Sequence, residues 1–154
     1  MSVNHGLIWW SELMTRDVQA AKSYYHDVCG WSFDTMPMGE NTYLVAIAHG
    51  NPVAGIMDVT GLDGMDNAQP HWFTYIAVDD IDAALEGTVA TGGEVLRAPF
   101  DVPDVGRIGI VRDPSGAAVG LMTPVFPLDG QVDRDLQEEM VDMDAPTDDE
   151  NFPI

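Results

Sequence analysis

Positive charge is scarce in this sequence. Six lysines and arginines stand against 26 aspartates and glutamates, for a formal net charge of −20, and Lys22 is the single lysine. Nucleic acid and anionic membranes repel such a surface, so neither is expected as a partner. Cysteine is reduced to Cys29. No intrachain disulfide can form, and a reducing cytoplasm is the expected compartment. No apolar run approaches the ~18 residues of a membrane span, and no charged-then-apolar leader opens the chain. The expectation is a soluble cytoplasmic protein.

The 154 residues are 45% hydrophobic, enough for one globular unit that buries roughly 70% of its unfolded surface without a metal or disulfide. Ten of the acids fall in residues 127–154, leaving a net charge of −11 on residues 1–126. Residues 1–126 are read as one domain and residues 127–154 as an acidic C-terminal tail. Within the tail, residues 132–143 can form a short helix with Leu136, Met140 and Met143 on one side.

The domain starts its structure twice. "LIWWSELM" (7–14) is strand-like, Asp17 is a helix N-cap, and "VQAAKSYYHDVCG" follows with a stripe of Val18, Ala21, Tyr24, Tyr25 and Val28. Gly30 is the helix stop. "WSFDTMP", "NTYLVAIAHG" and "PVAGIMDV" are three further strands, with a hairpin turn at Gly50-Asn51. Residues 60–70 read as a connector. The second start runs from a strand at 71–78 through an Asp80 cap and a helix ended by Gly92-Gly93. The strands "EVLRAPFDVP", "GRIGIVRD" and "AAVGLMTP" follow.

At an offset of 63, Asp17, Ala20, Ala21 and Gly30 match Asp80, Ala83, Ala84 and Gly93; after a two-residue insertion "VAGIM" (53–57) matches "AVGLM" (118–122). The fold class is therefore α+β: two tandem βαβββ modules, 6–59 and 71–126, joined by the connector 60–70. Each sheet has one face under its helix and one bare, so two modules side by side can curl into a cup.

The paired modules, "D-[VI]-x-A-A" after each first strand, and "RDPSGAAVGLM" near the end resemble the vicinal oxygen chelate superfamily: glyoxalase I, extradiol dioxygenases, and the fosfomycin and bleomycin resistance proteins. The likeness covers about residues 6–124. The wording "GxxxWSELMTRD" and "GRIGIVRDPSGA" is similar to a glyoxalase-like subgroup related to a mycobacterial secreted-antigen family. The resemblance implies four metal-ligand positions, which map onto Trp10, Gly55, Phe73 and Gly120. None offers the imidazole, carboxylate or thiolate that a divalent ion needs. The expectation is a cup lined by rings that face glycines, with no metal cofactor; a divalent metal would need an off-register site. Family habit also implies a homodimer.

Strand alternation puts Trp10, Glu12 and Met14 on one face, and His71, Phe73, Tyr75 and Ala77 on its equivalent. Glu12 has two readings. It is a general base with a pKa raised by burial, or a structural carboxylate paired with Arg107 or Arg112. His71 is an off-register metal ligand with Glu12, a neutral cup histidine, or a wet strand end. Arg107 grips an anionic group of a bound compound through its fork of donors, or pairs with Asp101 or Asp104. Cys29 reads as an inert packed thiol; Met14, Met57 and Met122 offer an adaptable surface.

Three functions follow as expectations. One is a metal-free module that binds a small, partly aromatic molecule through Trp10, Glu12, His71, Phe73, Tyr75 and Arg107. The second is a glyoxalase- or dioxygenase-type enzyme (isomerase, lyase or oxygenase), with a non-standard metal site or Glu12 as base. The third is an interaction protein acting through the acidic tail.

Overall fold

A computed structural model describes residues 2–38, 41–62, 64–65 and 67–125; the tail, with its expected helix at 132–143, lies outside them. The element order is β1 (Ile8–Thr15), α1 (Val18–Cys29), β2 (Ser32–Met38), β3 (Asn41–Ala48), β4 (Asn51–Asp58), β5 (His71–Ala77), α2 (Ile81–Ala90), β6 (Glu94–Val102), β7 (Gly106–Arg112) and β8 (Ala118–Pro124). This is βαβββ twice. All eight strands join one curled, open sheet in the order β2-β3-β4-β1-β5-β8-β7-β6.

Both helices begin where the capping residues said they would. The Asp17 carboxylate accepts the Ala20 N–H at 3.0 Å, and the Asp80 carboxylate accepts the Ala83 N–H at 3.1 Å. Gly30 ends α1 in the left-handed region at φ 74°, where a side chain would be strained. Only part of the expected α1 stripe meets the sheet. Val18, Ala21 and Tyr25 pack on Leu13, Leu44 and Ile56, whereas Tyr24 and Val28 are exposed. At 100° per residue these two fall on the flank of the line 18-21-25. α2 is more deeply seated: Ile81 and Leu85 pack against Val111, Val95 and Leu121. The β3–β4 turn lies one residue earlier than expected. His49 and Gly50 both take positive φ, 51° and 80°, as a two-residue hairpin turn requires, and Asn51 already belongs to β4.

The modules meet where β1 pairs antiparallel with β5: Trp10 opposite Tyr75, Ser11 opposite Thr74, Glu12 opposite Phe73, Met14 opposite His71. The pairing repeats itself under the 63-residue offset. Trp10 and its counterpart Phe73 face Tyr75 and its counterpart Glu12, so Ser11 and Thr74 mark a pseudo-twofold centre. At the outer side of each seam strand the pairing is parallel, Glu12 beside Gly55 and Tyr75 beside Gly120. The connector is pinned to the end of β1, where the Arg16 guanidinium donates to the carbonyls of Met65 and Ala68.

Candidate functional site

With both helices on one face, the other face forms the cup. Its centre is the seam. Glu12 is 6% exposed and accepts a hydrogen bond from the Tyr75 hydroxyl at 2.9 Å; the Tyr43 hydroxyl stands near enough to favour its charged form as a further donor. The Trp10 indole N–H donates to the Tyr43 oxygen at 2.9 Å. Four side chains from β1, β3 and β5 thus form one network whose last acceptor is a carboxylate. Burial pushes the Glu12 carboxyl above the usual carboxylate range, and the two phenol donors pull part of the way back. Burial, and then the Glu12 charge, push both phenols up, so they remain protonated and act as donors.

The glycines explain how the rings fit. A methyl on Gly55 would land on the Tyr43 hydroxyl and come within 3.0 Å of the Trp10 indole nitrogen. A methyl on Gly120 would land on the Tyr75 ring. Rings do lie over bare glycines inside the cup, but the partners differ from the expected ones. Tyr43 and Tyr75 cover the two glycines, rather than Trp10 and Phe73 alone. The reason is register: the parallel pairing sets Glu12 and Tyr75, not the residues two places earlier, beside Gly55 and Gly120.

The two halves of the cup are not equivalent. Over the second module, Phe73, Tyr75, Ile108 and Met122 form a buried cluster with Phe100 and Ile110 packed against it. Over the first, the corresponding positions carry Tyr43, Val45 and Met57, each half-buried, and Met36, which is 51% exposed. The second half is packed by these side chains together with Trp9, Trp10 and Met14 of β1, and the first is the more exposed of the two.

Other expected site residues go elsewhere. Arg107 is not in the cup. It lies on the helix face, where its guanidinium pairs with Asp82 of α2 at 3.3 Å and with Asp101 at 3.2 Å. The same face of β7 places Gly109 against Leu85, which fixes the side. Glu12 does not pair with Arg107 or Arg112, because Arg112 is held by Glu94 at 3.0 Å. His71 is exposed at the strand end, its Nδ1 2.7 Å from the Gln69 carbonyl, its ring edge-on to Phe73. Cys29 is exposed rather than packed. Trp31 and Trp72 lie on the helix side with Tyr25, as structural rings.

Two of the cup residues that escaped sequence reading bear on the Glu12 network. Tyr43 is one, since nothing in "NTYLVAIA" marks its phenol as a partner of a carboxylate two strands away. Arg97 is the other. Its guanidinium lies 3.8 Å over the Phe100 ring, and Tyr75 feels its charge.

The donor chemistry at the four positions does not suit a divalent ion. Trp10 offers only an N–H donor, Phe73 no polar atom, and the glycines no side chain. Among the described residues no three His, Cys, Asp or Glu side chains gather as a metal would require. Glu12, the one carboxylate at the centre, is already engaged by two phenols. A separate hollow of about 200 Å³ lies at the other strand ends, lined by Ser2, Asn4, His5, Asp79 and Thr123 among others; no residue of the Glu12 network lines it.

Comparison with known proteins agrees with this architecture. The family model of the Glyoxalase/Bleomycin resistance protein/Dioxygenase superfamily matches residues 4–121. A Mycobacterium tuberculosis protein provisionally named as a glyoxylase, CFP32, is 43% identical over 116 residues, covering 73% of this chain and 43% of its own. The anthracycline biosynthesis protein DauV of a Streptomyces species is 34% identical over 118 residues, covering 76% of this chain and 41% of its own. The chain thus spans less than half the length of these curated relatives. Among solved structures, methylmalonyl-CoA epimerase from Mycobacterium tuberculosis superposes with a TM-score of 0.59 at 17% identity, covering 83% of this chain and 95% of the epimerase. At that identity the likeness concerns the fold.

Proposed function

The chain belongs to the glyoxalase/bleomycin resistance protein/dioxygenase superfamily, and from that premise we propose that it is a binding protein whose cup holds a small, flat, partly aromatic molecule without a metal. The observation that carries this reading is the set of four strand positions. Where metal-using members present ligands, this chain presents two aromatic rings and two glycines, and further rings are laid over the glycines. The more exposed half above the first module supplies the seat. Trp10 and Tyr43 offer ring faces, Met36 and Met57 an adaptable apolar wall, and Glu12 a polar end. Phe73 and Tyr75 form the wall toward the more tightly packed half. DauV bears the name of an anthracycline biosynthesis protein, and a fused-ring ligand class suits a seat lined in this way.

The test uses an uncharged fused-ring probe, 1,4-dihydroxyanthraquinone, titrated while tryptophan emission is followed. The expected result is saturable quenching that survives dialysis against EDTA and weakens about tenfold in Trp10→Ala, the loss of one good stacking contact. Quenching abolished by EDTA, or unchanged in Trp10→Ala, would remove the reading.

A second reading has one specific support. Glu12 is buried with its pKa raised and two phenols at hand, which is how a general acid or base is prepared. On that reading the protein is a glyoxalase-type isomerase or lyase. Glu12→Gln would abolish turnover while probe binding persists, whereas a pure binder has no turnover to lose.

A further inference from the structure

Arg97 stands out in a chain so short of cations. Arg107 and Arg112 are taken up by carboxylates, and Arg16 by the connector carbonyls. Arg97 has no hydrogen bond or ion pair among the described residues; its guanidinium rests on the Phe100 ring. Its direction is set by an irregularity. The β6–β7 register shifts between Val95 and Arg97, and again between Arg97 and Phe100. Val95 packs under α2. In a regular strand Arg97, two residues on, would follow it to the helix face. The extra residue of a bulge turns Arg97 over to the cup, opposite Ile110 and in line with Gly120 and Tyr75. Bulges next to binding sites commonly re-aim a side chain in this way.

The repeat sharpens the point. Along the equivalent row of the first module, β2 pairs with β3 without a shift, and the place of Arg97 is taken by Asp34, opposite Val45. The cup is therefore polarised: an acid on the wing of module one, a guanidinium unpaired among the described residues on the wing of module two, and the Trp10–Tyr43–Glu12–Tyr75 network between them.

We propose that Arg97 is the anion-recognising residue of the cup, and that its ligand is a flat organic carboxylate oriented with the carboxylate toward module two. This rests on the reading of the cup as a small-molecule seat and adds the charge and orientation of the ligand. The ring beneath holds the guanidinium with little side-chain freedom left to lose, and its two parallel N–H donors match a carboxylate. The net charge of −20 opposes anions at long range, so the preference has to arise from this one local group, and removing it removes the preference.

The experiment compares 2-naphthoate with 2-naphthamide, equal in shape and different in charge, by calorimetric titration at low salt. The wild-type protein is expected to bind the naphthoate about tenfold more tightly, the scale of one charge-assisted pair. In Arg97→Gln the ratio falls to about one, with naphthamide affinity unchanged. Arg97→Lys keeps part of the preference, and Arg107→Gln, on the helix face, keeps all of it. Equal affinity of the two probes for the wild type, or a preference that survives Arg97→Gln, overturns the inference while leaving the uncharged-probe result standing. Absence of binding by both naphthalenes and by the anthraquinone overturns the cup reading and this inference together.

Discussion

Glu12 is buried between two phenols with no cation beside it among the described residues, and this has a measurable cost. A carboxyl whose native pKa is raised holds its proton in the folded chain at a pH where the unfolded chain has released it. Its contribution is fully present below the unfolded value, near 4.5, and is lost as pH rises toward the raised native value. Wild type should therefore lose stability relative to Glu12→Gln across that window, with a slope of at most about 1.4 kcal/mol per pH unit. Urea denaturation of both proteins from pH 4 upward measures the difference and cancels the background of surface acids. A difference that is flat, or that grows in favour of the wild type with pH, contradicts the burial argument.

At the scale of elements, each helix contributes through its cap and the sheet through its register. Asp80→Ala removes the acceptor for the Ala83 N–H and should cost about 1 kcal/mol. Gly87 lies exposed inside α2 with nothing within 4 Å of where a Cβ would stand. Gly87→Ala should therefore stabilise by about 0.5–1 kcal/mol through reduced backbone entropy of the unfolded chain. Thermal unfolding of the two variants checks both signs. The β6 bulge is the element-level feature with functional weight, since it moves one arginine from the helix side to the cup side without changing the strand's ends.

For the whole molecule the decisive contact is the β1–β5 seam. It joins two four-stranded halves into one sheet and lets Tyr75 of one module satisfy Glu12 of the other. A fragment of residues 1–66 would keep α1 and its core but expose the β1 edge and leave Glu12 without Tyr75. It should show no cooperative unfolding transition and no fixed near-ultraviolet dichroism. Mixing it with residues 67–154 should restore both signals. A fragment that melts cooperatively alone would show that the seam is dispensable.

Local chemistry in the sequence was sufficient for the elements. Asp17, Gly30 and Asp80 mark helix ends because a cap acts within four residues of itself, and the 63-residue repeat reveals two βαβββ units because each must bury one sheet face. The inward set Trp10, Glu12, Phe73 and Tyr75 was readable from alternation, because β1 and β5 pair regularly from Trp10 onward, past the irregularity at Trp9. The tertiary structure alone decided what depends on register between distant strands. It set Tyr43 over Gly55 and beside Glu12, turned Arg107 to the helix face, and packed one half of the cup more tightly than the other. It also brought Arg97 inward through a bulge that no period of two can announce. A side chain's direction is written in its own strand only while that strand stays regular; its neighbours are chosen by the sheet.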